Sequence, residues 1–180
     1  MNKTVVIYES KYGHTKHYAQ WLSEALDCRL FERKNFRPQD FEKYEVILYG
    51  GGLYAGGVSG IKLLTQNWSL LSDKKVILFT CGLADPADPV NAAHIRKALT
   101  KVLSAEMMKS IKLFHLRGGI DYSRLNLVHK TMMSMLRRML LKKNDSELNS
   151  EARQILATYG QKIDFTDRAS LQPIINYCRQ

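Results

Sequence analysis

Residues 4–15 read Thr4-Val5-Val6-Ile7-Tyr8-Glu9-Ser10-Lys11-Tyr12-Gly13-His14-Thr15. The first half of this stretch is apolar without alternation, which is typical of a strand covered by helices on both faces. The second half is a short turn with one glycine, and an amphipathic segment follows it directly. A strand, a tight turn and a helix in this order form the first half of a βαβ unit.

The same alternation of short apolar runs and amphipathic segments continues along the chain. The predicted strands are Thr4–Tyr8, Cys28–Phe31, Val46–Tyr49, Val76–Phe79 and Lys112–Leu116. The predicted helices between them are Thr15–Leu26, Ser59–Leu70 and Pro89–Leu103, the last with a cap and first-turn proline at Asp88-Pro89. Right-handed crossovers then give an α/β fold with a doubly wound five-stranded parallel sheet, in the order 2-1-3-4-5.

The chain continues well beyond the fifth predicted strand. A basic, Met-rich segment, Arg124–Lys143, gathers apolar side chains on one side and predicts an extra amphipathic helix. A last helix is expected over Asn149–Ile163, followed by a tail, 164–180, that is broken by Pro173. With 180 residues and 45% apolar composition, we expect one domain over 1–180 with its core in about 3–163.

The amino-acid composition limits the cellular location and the binding partners that can be expected for this chain. The three cysteines form no CxxC pair, and the N-terminal apolar run is too short for a signal-peptide core, so a cytoplasmic location is expected. The net charge of +10 favours polyanionic partners such as phosphates or anionic lipids. No nucleic-acid-binding motif is present, so we predict no nucleic-acid partner. The histidines lack metal-ligand spacing, so no metal site is predicted.

Ligands of doubly wound sheets bind beyond the carboxyl ends of the strands, at the point where the strand order reverses. The first loop there contains Ser10, Lys11, Tyr12, Gly13, His14 and Thr15. Hydroxyl groups, a turn glycine and the free N–H groups of a helix N-terminus together favour a phosphate-binding loop. The loop matches neither GxGxxG nor GxxxxGK[ST], which argues against those two nucleotide-binding classes. An ordinary strand-to-helix turn remains the alternative.

Two further loops at this edge are candidates for binding a planar ring. The glycine-rich stretch after the third strand supplies Gly52, Leu53, Tyr54, Ala55 and Gly56, where backbone can approach a ring and a side chain can pack on its face. The alternative is that this glycine-rich stretch is only a flexible connector. The loop after the fourth strand offers small residues for the polar edge of the ring. These residues are Thr80, Cys81, Gly82, Leu83 and Ala84.

The first loop resembles the phosphate signature of the flavodoxin family, Thr/Ser-x-Thr-Gly-x-Thr. Ser10, Gly13 and Thr15 match its first, fourth and sixth positions, whereas Tyr12 departs from it. The resemblance implies a flavodoxin-like fold and one noncovalently bound FMN, held by the three loops described above. Since a flavin performs its own redox chemistry, no catalytic acid or base of the protein is predicted.

Within that family the chain looks closest to the quinone-linked protoporphyrinogen dehydrogenases. Their Ser-Thr-x-Asp-Gly-x-Thr loop is similar in length and hydroxyl placement, and residues 118–122 followed by Arg124–Lys143 look like their segment after the fifth strand. The resemblance implies an oxidoreductase whose partner is a quinone or an apolar organic substrate. The alternative is a flavodoxin-type electron carrier that docks to protein redox partners.

The predicted helix in Arg124–Lys143 allows four interpretations. Its apolar face could pack on the sheet or on a second subunit in a homodimer. Alternatively, the methionines could contact a large apolar substrate, or the methionines and flanking cations could reach an anionic membrane surface, with the protein attached peripherally to the inner face of the membrane.

Overall fold

The computed structural model describes residues 3–54 and 57–180. Its strands are β1 Thr4–Glu9, β2 Arg29–Glu32, β3 Val46–Tyr54, β4 Gly57–Val58, β5 Lys75–Gly82, β6 Lys112–Arg117, β7 Gly119–Asp121 and β8 Lys162–Asp164. The central sheet runs β2-β1-β3-β5-β6, and every neighbouring pair in that path is parallel. The predicted α/β fold and strand order are therefore confirmed. The short strand β4 pairs antiparallel with the end of β3.

Seven α-helices are found in the described part of the chain. They are α1 His14–Leu26, α2 Lys62–Thr65, α3 Pro89–Leu99, α4 Ala105–Ser110, α5 Leu127–Leu140, α6 Ser150–Thr158 and α7 Gln172–Arg179. Helix α5 is the predicted extra helix after the fifth parallel strand. The Asn126 side chain caps it by accepting from the His129 N–H at 2.9 Å.

The prediction of one helix over Ser59–Leu70 is wrong. Only α2 is α-helical there, and Trp68–Leu70 forms a separate 3₁₀ turn. The Asn67 side chain donates to the Leu63 carbonyl at 2.8 Å, which is the acceptor that the Asn67 backbone N–H would need in a continuing helix. Asparagine side chains often compete with the backbone in this way.

The helix predicted over Pro89–Leu103 begins at the right residue but ends early. Asp88 caps α3 by accepting from the Val90 N–H, with Pro89 in the first turn. The helix stops at Leu99, and Ser104 then caps the unpredicted helix α4 by accepting from the Met107 N–H at 3.2 Å. Residues 100–103 form a turn, and α4 is a separate helix that begins beyond the predicted segment.

The last predicted helix, Asn149–Ile163, is also too long. Helix α6 ends at Thr158, and Gly160 has a φ of +80°, a left-handed conformation that glycine adopts readily. The chain then enters β8, which pairs antiparallel with β7 in a small second sheet. Three-residue strands are too short to give a periodic pattern, which is why neither strand was predicted.

The core lies on both faces of the central sheet. On one face α1, α7 and the 3₁₀ turn before α7 pack through fully buried side chains that include Leu22, Ile174 and Leu171. On the other face the segments from α2 to α4 bury residues such as Leu64 and Leu99. Residues 164–180, treated above as a tail, thus cover the sheet, and Pro173 lies in the first turn of α7, where proline is tolerated.

Within residues 3–54 and 57–180, no helix has both the length and the apolar character needed to cross a membrane.

Candidate functional site

A cavity of about 350 Å³ lies beyond the carboxyl ends of β1, β3 and β5. This is the edge where the strand order reverses, and the volume falls in the range of roughly 300–1,000 Å³ that is usual for small-molecule sites. All three predicted loops reach it. Its lining includes Tyr12, His14, Thr15, Leu53, Tyr54, Cys81, Gly82, Leu83 and Ala84.

The turn between β1 and α1 has the features of an anion-binding loop. Gly13 stands at the start of α1 with a φ of +102°, and the position of a Cβ there has no atom within 4 Å. Because Gly13 has no side chain, the helix begins without a side-chain cap, and its first N–H groups face the open end of the loop. The Gly13 N–H itself donates to Ser10 Oγ at 3.1 Å, which fixes the turn.

Thr15 lies deeper than the rest of the loop and is buried in the wall of the cavity. Its hydroxyl hydrogen-bonds the thiol of Cys81 on β5. Burial raises the pKa of that thiol to about 12, so Cys81 is protonated at neutral pH and is not a nucleophile. A protonated, buried cysteine agrees with a packing role at this position.

Tyr12, which departs from the flavodoxin signature, contacts helix α5. Its hydroxyl lies 2.7 Å from His129 Nδ1, while Lys11 Nζ lies 3.3 Å from His129 Nε2. An ammonium group can only donate, so Nε2 accepts and the proton of the neutral ring sits on Nδ1. Tyr12 Oη is then the acceptor in its bond with His129, which leaves the Tyr12 hydroxyl proton free for another partner.

The same histidine also stacks on the glycine-rich loop. The rings of His129 and Tyr54 are 5.6 Å apart and inclined by 25°, and Tyr12 meets Tyr54 edge-on at 5.9 Å. Burial lowers the pKa of His129, and the positive charge of Lys11 lowers it further, which agrees with the neutral ring inferred above. The three rings join the β1–α1 loop, the glycine-rich loop and α5 at one end of the cavity.

Gly118 and Gly119 bring the small second sheet close to α1. A Cβ at Gly119 would lie 2.7 Å from His14 Nε2, and one at Gly118 would lie 2.7 Å from Cys81 Sγ. His14 Nε2 is 3.8 Å from Asp164 Oδ1 of β8. Burial lowers the pKa of His14 more than Asp164 raises it, so the ring is neutral at pH 7.

Some predicted site residues lie outside the cavity lining. Ser10, Lys11 and Gly13 belong to the adjoining loop, and Gly52 has its side-chain space filled by the Tyr54 ring. The Thr80 hydroxyl is paired with His115 Nδ1 at 2.8 Å. Ala55 and Gly56 lie outside the described residues.

The cavity is closed on its other side by residues that were not predicted from the sequence. Helix α3 supplies Asn91, His94, Ile95 and Ala98, helix α5 supplies His129, Met132, Met133 and Leu136, and helix α6 supplies Glu151 and Ile155. The amphipathic pattern of the 124–143 segment had placed Met132, Met133 and Leu136 on one side. The pattern left open whether this side meets the sheet, a second subunit, lipid or a substrate, and the structure places these three residues in the cavity lining.

Among the described residues of the glycine-rich loop, Gly60 has a positive φ, at +67°, and Gly57 does not. A Cβ at Gly60 would overlap the Tyr49 hydroxyl and lie 2.6 Å from Arg33 Cδ, whereas one at Gly57 would meet only the Tyr54 carbonyl at an ordinary 3.6 Å. We therefore expect Gly60→Ala to lower the free energy of unfolding by about 1–3 kcal/mol. Gly57→Ala is the matched control and should change it by less than about 1 kcal/mol in urea unfolding. Equal losses would contradict this distinction.

These features define a class of protein: a doubly wound α/β domain with a helix N-terminus and an adjoining apolar cavity at the switch point of the sheet. A family model described as a flavodoxin domain matches residues 5–147. The chain belongs to this flavodoxin domain family.

Solved structures similar to this chain include two from Bacillus species. Oxidised Flavodoxin 2 from Bacillus cereus is 13% identical, with 86% of this chain and 93% of that chain covered and a TM-score of 0.46. The Trp repressor binding protein from Bacillus subtilis is 16% identical, with 64% and 83% covered and a TM-score of 0.47. No curated protein matched the sequence.

Proposed function

We propose that this protein binds one FMN noncovalently and acts as an oxidoreductase on an apolar organic substrate, in the manner of a quinone-linked dehydrogenase of the protoporphyrinogen type. One observation carries the proposal. The open N-terminus of α1 adjoins a cavity of about 350 Å³ that is walled by the loops after β1, β3 and β5.

The residues present fit such a cofactor. The Gly13 turn leaves room for an anionic group at the start of α1, where free N–H groups and the helix dipole favour negative charge. Thr15 offers a hydroxyl at the same place, and Leu53 and Tyr54 line the cavity where a ring would pack. A single anion-binding loop without a dinucleotide motif favours FMN over FAD.

A bound flavin would supply the redox chemistry by accepting electrons singly or as a hydride. The chain's own residues would bind and orient the cofactor and the substrate, and they would exclude water from the cavity. Thr15 and the α1 N–H groups would hold the phosphate, while the Tyr12 hydroxyl, whose proton is not used by His129, can donate a hydrogen bond to a ligand oxygen or nitrogen in the cavity.

The far side of the cavity favours an enzyme over an electron carrier. Beyond the loops after β1, β3 and β5, the lining is extended by apolar side chains of α3, α5 and α6, such as Ile95, Leu136 and Ile155. An electron carrier needs only an accessible edge of the flavin ring. The part of the cavity lined by α3, α5 and α6 would in addition let an apolar molecule bind beside that ring. Turnover with an organic donor and a quinone would support the enzyme, and exchange of electrons with proteins alone would support the carrier.

The direct test is a titration of the purified protein with FMN, followed by release of the flavin on denaturation. We expect micromolar or tighter binding of FMN and weaker binding of riboflavin, which lacks the phosphate. FAD serves as the control for a dinucleotide site. Equal affinity for riboflavin and FMN, or no binding of either, would overturn the proposed cofactor.

Thr15→Val is expected to weaken FMN binding by about 1–3 kcal/mol, because it removes a hydroxyl that can bond a charged and largely desolvated phosphate. Thr15→Ser keeps the hydroxyl and should have a smaller effect. Fluorescence titration measures both variants against wild type. If both bind FMN as tightly as wild type, the phosphate is not held at the α1 loop.

We further propose that α5 rests on an anionic membrane surface, from which an apolar substrate can enter the cavity. Val128, Met135 and Met139 are 66%, 59% and 62% exposed, and they share one stripe of the helix together with Met132. Arg138 lies beside this stripe, Lys142 and Lys143 follow the helix, and α5 contains no acidic residue. Exposed apolar side chains bordered by cations match the interfacial region of an anionic bilayer.

A further inference from the structure

Asn91 carries a buried polar atom that the protein leaves unpaired. The residue lies in the first turns of α3, is 2% exposed, and lines the cavity. Its Nδ2 donates to the Asp85 carbonyl at 3.0 Å. Its Oδ1 has no hydrogen-bond partner among the described residues.

The orientation of this amide follows from its one bond. If the group were reversed, Oδ1 would face the Asp85 carbonyl oxygen, and two acceptors would be in contact. Oδ1 is therefore the free atom. A buried acceptor without a partner has lost its hydrogen bonds to water and gained none in return, and such atoms are few in folded proteins.

The surroundings of Asn91 limit what can satisfy it. The neighbouring lining from α3, α5 and α6 is mostly apolar, including Ile95, Leu136 and Ile155. His94 and Glu151 also line the cavity, but neither bonds to Asn91 Oδ1. A ligand here needs an apolar body together with one N–H or O–H group directed at α3.

We propose that Asn91 determines specificity by accepting a hydrogen bond from an N–H or O–H group of an apolar aromatic substrate in its reduced form. This inference rests on the proposed function, since it assigns the electron donor of that reaction. Oxidation of such a substrate would remove two electrons together with two protons from its N–H or O–H groups, and a bound oxidised flavin would take up both electrons and both protons as it becomes fully reduced. The oxidised product therefore lacks the donor that Asn91 binds, and Asn91 favours substrate over product.

A matched pair of probes tests the inference. 2-Naphthol and 2-methoxynaphthalene have the same ring system, but only the naphthol can donate. We expect calorimetry on the FMN-loaded, full-length protein to show naphthol binding about tenfold tighter, a ratio that corresponds to 1.4 kcal/mol. The same titration on flavin-free protein reports on Asn91 without the cofactor.

Two variants complete the experiment. Asn91→Leu should abolish or reverse the preference for the naphthol, because the hydroxyl then meets an apolar wall. Asn67→Leu is the matched control, since Asn67 also donates to a backbone carbonyl but does not line the cavity, and it should keep the preference. The wild-type preference is informative even if Asn91→Leu fails to fold.

The outcomes separate this inference from the proposed function. Equal affinity for the two probes, or binding of neither, overturns the role of Asn91 while leaving the FMN titration unaffected. If Asn91→Leu weakens FMN instead of naphthol, Asn91 contacts the flavin ring, and the inference is also overturned. If wild type does not bind FMN, the proposed function fails, and the flavin-free titration still decides what Asn91 binds.

Discussion

Gly50→Val is expected to lower the free energy of unfolding by more than about 3 kcal/mol. Gly50 lies in the buried part of β3, directly opposite Phe79 of β5 in the sheet register. A Cβ at Gly50 would overlap the Phe79 ring, whose Cε1 would lie 2.9 Å away, and Phe79 is fully buried. Neither strand can move without disturbing both of its neighbours, so the overlap cannot be relieved at low cost.

Urea unfolding followed by circular dichroism measures the loss. The double variant Gly50→Val with Phe79→Leu is the informative control, because the smaller side chain should recover part of the lost stability. A midpoint for Gly50→Val close to that of wild type would show that β3 and β5 do not pack as described. If the double variant is less stable than the sum of the single effects, the ring overlap is not the cause.

Reversing two charges beside α5 is expected to reduce membrane binding by at least about 30-fold. Each basic residue at an anionic surface contributes roughly 1 kcal/mol, so losing Arg138 and Lys142 removes about 2 kcal/mol, and the glutamates that replace them add repulsion. Arg137 is left unchanged because its guanidinium stacks on the Tyr159 ring at 4.9 Å. The measurement is sedimentation with phosphatidylserine-containing vesicles at low salt.

The matched control reverses two exposed charges on other elements, β2 and α2, in Arg29→Glu with Lys62→Glu. It lowers the net charge by the same amount, so it should retain most of the binding if α5 is the contact surface. FMN affinity should be unchanged in both double variants. If wild type does not sediment with anionic vesicles at low salt, the exposed face of α5 meets another protein surface, and sedimentation equilibrium would then show whether that surface is a second copy.

The predicted ends of the helices were wrong for one reason. The predicted helices over Ser59–Leu70 and Asn149–Ile163 were too long because hydrophobic periodicity does not register a competing side-chain bond such as that of Asn67, or a left-handed glycine such as Gly160. Caps and turns depend on single hydrogen bonds, whereas the periodic pattern averages over many residues. Boundaries were therefore less well predicted than the elements themselves.

The sequence by itself determined the strand order, the switch point and the loops that meet there. Apolar strands, amphipathic helices and the Gly13 turn are properties of neighbouring residues, and βαβ handedness then leaves few topologies. The tertiary structure alone decided what closes the cavity. Tyr12 pairs with His129, and Asn91 is left with an unpaired oxygen, because α3, α5 and α6 pack around the same edge of the sheet. Contacts between residues so distant in sequence depend on the packing of whole elements, and no local pattern records that packing.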